Sequence, residues 1–158
     1  MSAALELAAL FRRDLTRLSQ ELEAFPSEEM LWSKLPGISN SAGNLFLHLE
    51  GNMREYIARQ LGGIDYARRR ELEFSSAAIP AEALLQRIGP LVALIPETVS
   101  ALSEQAMEAE YPLDVFGLPL STRQFLIHLS GHLNYHLGQI DYLRRVLTGS
   151  GALTFAPL

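Results

Sequence analysis

Apolar residues along this chain recur at helical intervals, and no run reads as a strand. From Leu7 to Phe25, Phe11, Leu15, Leu18, Leu22 and Phe25 follow one another at steps of four, three, four and three, with Arg12, Arg13, Arg17, Gln20 and Glu23 between them. That spacing predicts an amphipathic first helix, ended by Pro26. Met30, Leu31, Trp32 and Leu35 form a short segment stopped by Pro36-Gly37. Trp32 is expected to be a packing plug over the bundle end rather than a stacking surface for a substrate, because a large aromatic in a short connection usually buries for stability. Ser39-Asn40-Ser41 offers helix caps, and Gly62-Gly63 a stop, so a second helix is expected over Ser41 to Leu61. Its apolar side is Leu45, Leu49, Tyr56 and Ile57, with a polar file of Asn44, His48 and Asn52 beside it.

Ile64 to Phe74 reads as a charged connection with at most a helical turn of its own. Pro80 fits the first position of a third helix, and Ala83, Leu84, Ile88, Leu91, Ile95, Val99 and Leu102 continue the spacing through Met107. Pro90 and Pro96 oppose an unbroken helix there, since each lacks an amide donor, and a kink is expected near Pro90. Tyr111 to Leu120 should be extended, and the tail after Gly149, with Phe155 and Leu158, ordered against a neighbour. The last helix, Ser121 to Leu147, opens with a capping-box pair, Ser121 and Gln124, and carries Phe125, Leu129, Leu133, Ile140, Leu143 and Leu147 on one side. Four long helical segments without strands argue for an all-α four-helix bundle, with long second and third connections able to cross over.

Length and composition refine this picture. At 158 residues and 48% hydrophobic, the chain is sized for one domain spanning 1-158 with its own core. Lys and Arg number 13 against 18 Asp and Glu, so there is no basic field to attract a nucleic-acid backbone. The densest basic cluster, Arg68-Arg69-Arg70, is followed by Glu71 and Glu73 and reads as solvated and self-paired. With no cysteine, a disulfide framework, thiolate ligation and a cysteine nucleophile are excluded, and any metal must be held by nitrogen and oxygen. The start, interrupted by Glu6, makes a poor signal peptide, and no apolar stretch approaches the ~20 residues of a membrane span. The cytoplasm is the expected compartment, with neither nucleic acid nor membrane as a partner.

The candidate chemistry lies in the histidines. His128, His132 and His136 stand at i, i+4 and i+8 of the last helix, and neighbouring members can share a metal ion. All three cannot, because eight residues rise about 12 Å while metal–nitrogen bonds are about 2 Å. Spacing leaves His128/His132 and His132/His136 equally placed. His48, on the second helix, is a further ligand candidate, with a core histidine bonded to Asn44 or Asn52 as the plainer reading. A di-iron bundle is excluded, since no histidine has Glu or Asp three residues before it. Neither a Ser/His/Asp arrangement nor a phosphate-cradling glycine loop is present in the pattern.

Two stretches, GNLFLHLEGNMREYIARQLGG with the following YARRRELEF, and HLSGHLNYHLGQI, resemble the DinB/YfiT-like superfamily of metal-binding bundles, which is unrelated to the polymerase of similar name. The resemblance implies an up-down-down-up four-helix bundle, a homodimer, and a nickel or zinc ion held by one histidine of the second helix and two of the last. Carried over, the ligands are His48, His132 and His136, with His128 a nearby packing residue and Gln139 orienting a ligand or a bound water. Some relatives act as transferases or isomerases dependent on bacillithiol, mycothiol or glutathione, the metal holding the thiolate. The resemblance thus implies a metal-dependent thiol S-transferase, for which Arg54, Arg59 or Arg68 to Arg70 would meet a substrate carboxylate. A metal-dependent hydrolase is a second expectation, with Glu55 better placed than Glu50 as base. A non-catalytic, metal-stabilised dimeric protein associated with stress is a third.

Overall fold

A computed structural model describes residues 2–155. Helix α1, Ala3–Glu23, begins four residues earlier than its apolar stripe, because the Ser2 hydroxyl accepts from the Leu5 amide and caps it. Helix α2 is Glu28–Trp32. Trp32 behaves as the sequence predicts: its ring presses on Gly43, where a Cβ would stand 2.7 Å from it, and its indole N–H donates to the Ile79 carbonyl at 3.0 Å.

Helix α3, Ala42–Asn52, starts at a reciprocal Ser41/Asn44 capping box. The sequence suggests one apolar side, yet every residue of α3 is buried, since α2, α4, α5 and α8 all pack against it. The chain then winds wider, as a π-helical segment over Met53–Arg59. There the Gln60 amide bonds to Glu55 and the Leu61 amide to Ile57. The Tyr56 carbonyl between them takes the buried Tyr111 hydroxyl at 2.7 Å instead. Wide turns of this kind recur at functional sites.

The charged connection contains helix α4, Arg70–Ser75, folded back on α3. The expected third helix is divided. Helix α5, Ala81–Ile88, and helix α6, Leu91–Ser100, meet at Gly89-Pro90, where the missing amide ends the first ladder. Met107 is not on their continuation, because Ser103 caps a separate helix α7, Glu104–Glu108. Between Glu110 and Ser121 the chain leaves and returns through an isolated antiparallel bridge, with the Tyr111 amide on the Leu120 carbonyl at 2.9 Å.

Helix α8, Thr122–Thr148, carries the expected Ser121/Gln124 box and stops at Gly149, whose φ of 68° suits glycine. Helices α1, α3 with its π continuation, α6 and α8 surround one core. In it α1 touches α6 and α8, α3 touches α8, and the π segment touches α6. A buried ion pair, Arg144 to Glu21, fastens α8 to α1. The tail returns to α1, where the Arg17 guanidinium stands 5.2 Å from the Phe155 ring centre; Leu158 lies outside the described residues. Among the described residues no helix is long and apolar enough to cross a membrane.

Candidate metal centre

Seven residues after its cap at Ser41, and midway along α3, His48 faces α8 with 9% of its surface exposed. Its Nδ1 lies 2.9 Å from Glu73 Oε2. A carboxylate accepts, so the ring proton sits on Nδ1 and the Nε2 lone pair points away, toward α8. Glu73 is fixed in turn by Arg68, at 2.6 Å to Oε1 and 2.8 Å to Oε2. Burial works to raise the Glu73 pKa, but the bonds from Arg68 and His48 outweigh it and hold the carboxyl below its ordinary range. The approach depends on Gly51, where a Cβ would lie 2.2 Å from Glu73 Oε1. The Asn52 amide nitrogen is 3.4 Å from Nδ1 and 3.1 Å from Nε2 of His48. Near-equal distances to both nitrogens place it over the ring face, so it leaves the in-plane lone pair free and bonds to the His48 carbonyl at 2.8 Å.

On α8, His136 repeats the arrangement with a different partner. Gln139 Oε1 accepts from its Nδ1 at 2.7 Å, which again leaves Nε2 as the acceptor. His132 stands one turn earlier, with Nε2 3.2 Å from that of His48 and 3.1 Å from that of His136. Burial, then the neighbouring His136, His48 and His128, push the His132 pKa down to about 4, and burial also lowers His136 against the opposing bond to Gln139. These rings are neutral at physiological pH, the form in which imidazole binds a metal.

One ligand atom from each of His48, His132 and His136 lies within 4.8 Å of the others. Metal–nitrogen bonds of about 2.0–2.1 Å put tetrahedral ligand atoms about 3.4 Å apart, close to both short separations here. As a purely hydrogen-bonded cluster the group is deficient. His132 Nε2 can present at most one proton to two acceptors, and its Nδ1 is buried without a partner. The donor set therefore suits one cation at the point where the three nitrogens meet.

The structure thus brings His48 to His132 and His136 and leaves His128 outside. His128 is exposed, with its ring centre 4.9 Å from that of Phe116 and 6.2 Å from that of His132. Glu50 is not at the centre either; it binds Arg54 at 2.8 Å and Arg87 at 2.6 Å. Glu55 accepts from Arg59 and Gln60 at 2.9 Å each. Arg68 and Glu73 pair with each other as the sequence suggests, but with Glu73 buried, Arg68 half-buried and the pair supporting His48 rather than solvated. The need of a ligating imidazole for an acceptor on its second nitrogen calls for some oxygen beside His48, but nothing local in the sequence singles out Glu73 for that place. Two cavities flank the histidines. One of about 300 Å³ is lined by His48, Asn52, Arg68, Arg70, Phe116 and His132, among others. The other, of about 520 Å³, reaches His136 and is walled by Ile38, Tyr135, Gln139, Tyr142 and Val146.

The all-helical architecture, taken apart from its histidines, has a counterpart among solved structures. The chain has the DinB-like fold: it superimposes on the crystal structure of a DinB-like protein from Bacillus cereus ATCC 10987 with a TM-score of 0.68, covering 91% of both chains at 17% sequence identity. No family model matches the sequence, and no curated protein does.

Proposed function

We propose that this chain is a metalloprotein of DinB-like type that holds nickel or zinc through His48, His132 and His136 and acts as a metal-dependent S-transferase for a small thiol. The observation that carries the reading is the convergence of three acceptor nitrogens within 4.8 Å, two of them with their second nitrogen bonded to a carboxylate or amide oxygen. When bound, such an ion supplies Lewis acidity and stabilises a thiolate at neutral pH. The chain has no cysteine, so the thiol comes from outside, with bacillithiol, mycothiol and glutathione as the candidates. The cavity beside His48 and His132 supports an anionic thiol: Arg70 is exposed there, with its guanidinium 5.2 Å from the Phe74 ring, and can meet a carboxylate.

Hydrolysis, the second reading, needs a general base near the reacting water. The nearby carboxylates speak against it, since Glu50, Glu55 and Glu73 are each engaged by arginine. We read the ring of α1, α3, α6 and α8 as the up-down-down-up bundle that the resemblance implies. The test begins with elemental analysis of purified protein beside His132→Ala. About one nickel or zinc per chain, lost in the variant with helical circular dichroism unchanged, is expected; equal metal in both overturns the site. Loaded protein is then assayed for conjugation of each thiol to a chlorinated acceptor. Turnover absent with all three thiols but present with ester substrates would replace transfer by hydrolysis.

A further inference from the structure

The larger of the two cavities beside the histidines stands apart in its charge. None of its twelve lining residues is Asp, Glu, Lys or Arg, whereas each of four other cavities has at least one charged residue in its wall, as Arg68 and Arg70 are in the one beside His48. Leu45 and Leu143 are its buried walls, and Ile38, Tyr135, Tyr142 and Val146, exposed by 45%, 65%, 68% and 64%, ring its mouth. Large apolar side chains gathered in the open around one mouth mark a place where a ligand is received. Arg145, with its guanidinium 5.3 Å from the Tyr142 ring, is held by Asp141 at 3.3 Å and brings no spare charge to the rim.

The wall contributed by the connection between α2 and α3 is set by local sequence. Leu35-Pro36-Gly37-Ile38 forms a turn in which the Ile38 amide donates to the Leu35 carbonyl at 2.9 Å, and Pro36 followed by Gly37 with a φ of 79° suits type II. The turn holds Ile38 at the mouth without help from a ligand. Gln139 adds a polar group to the opposite wall. Its oxygen is occupied by His136 Nδ1 at 2.7 Å, so its amide nitrogen, which bonds to no described residue, is left to donate from the cavity side.

We propose that this cavity takes an uncharged, mostly apolar small molecule with an acceptor oxygen, such as a ketone, which accepts from Gln139. Its volume of about 520 Å³ lies within the roughly 300–1,000 Å³ usual for small-molecule sites. An ionised ligand is disfavoured, because it would leave water for walls that offer no opposite charge. Placement gives the ligand its role. This cavity meets α8 from Tyr135 to Val146 and the arginine-bearing one meets it from Phe125 to His132, so the two reach the histidines from opposite ends of the helix. On the transferase reading, on which this role rests, the thiol occupies the arginine-bearing cavity and the ketone is its acceptor. Binding itself does not depend on the metal.

Isothermal titration calorimetry of the full chain, as purified and after chelation, tests this with three probes: benzylideneacetone, trans-cinnamate, which has a carboxylate in place of the methyl ketone, and butylbenzene, which has no oxygen. The chain has no cysteine thiol for the enone to modify. In both preparations benzylideneacetone should bind at least about 10-fold more tightly than cinnamate. It should also bind about 3–10-fold more tightly than the hydrocarbon, the worth of one hydrogen bond. Ile38→Lys, at an exposed turn position, should reverse the preference for ketone over cinnamate with helical circular dichroism unchanged, and Gln139→Leu should bring the ketone down to butylbenzene without altering the latter. Absent ketone binding, cinnamate bound as tightly as the ketone, or a ketone affinity unmoved by Ile38→Lys or by Gln139→Leu would each overturn the proposal. The two readings fail separately. Ketone binding kept in His132→Ala, in a chain that shows neither metal nor conjugation, would sink the transferase reading alone, whereas metal and conjugation without ketone binding would sink the cavity assignment alone.

Discussion

Glu73 shows how much of the candidate centre one side chain can govern. It occupies the Nδ1 side of His48 and is itself gripped by Arg68, so it sets both the tautomer and the tilt of the ring. Glu73→Gln is expected to lower metal affinity by about 10–100-fold, the usual cost of losing such a partner, and chelator-competition titration measures it. Gln139→Leu should act the same way through His136, with little change in melting temperature, since Gln139 is only half-buried. The histidines themselves were legible in the sequence as a set of candidates, because i, i+4 spacing is a local property of a helix. The choice between the His128/His132 and His132/His136 pairs was not, since it depends on which turn of α8 His48 faces. Glu73 was hidden for a related reason: it lies 25 residues from His48, in a stretch whose alternating charge is indistinguishable from a solvated loop.

At the scale of elements, local chemistry decided most boundaries. Ser41 and Ser121 begin helices, Gly149 ends one, and Gly89-Pro90 divides another, each through a rule that needs only a few neighbouring residues. The wide winding of Met53–Arg59 could not be read this way, because its sequence supports an ordinary helix and the Tyr111 hydroxyl that occupies its spare carbonyl comes from a distant loop. Burial raises the Tyr111 pKa, so the phenol remains a donor at any physiological pH. Tyr111→Phe leaves the Tyr56 carbonyl without that donor and should cost about 1–3 kcal/mol in denaturant unfolding. The complete burial of α3 escaped the sequence for the same reason, since four other helices cover it. Gly51→Ala is expected to depress both stability and metal affinity, because the added carbon would collide with Glu73; thermal melts with and without metal separate the two losses.

For the molecule as a whole, one long-range fastener is Arg144 to Glu21, both almost fully buried and 123 residues apart. Arg144→Met strands a buried carboxylate and should cost about 3–5 kcal/mol, whereas removing both charges together should cost much less. Burial raises the Glu21 pKa despite the opposing arginine, and its second oxygen has no partner. The folded chain therefore keeps this proton at a pH where the unfolded chain has released it. The group's contribution is greatest below its ordinary value of 4.5 and is lost as pH rises through the folded value. Melting temperatures of wild type and Glu21→Gln across pH 4 to 7 should accordingly shift in favour of the variant as pH rises.

The chain of bonds from Arg68 through Glu73 to His48 ties a surface excursion to the middle of the molecule. A ligand that clamps the imidazole withdraws one end of that chain from fluctuation and, by linkage, holds the other end too. Amides around residues 64–76 would then exchange with deuterium more slowly in loaded than in stripped protein, so that a stretch touching no ion becomes the place where occupancy is read.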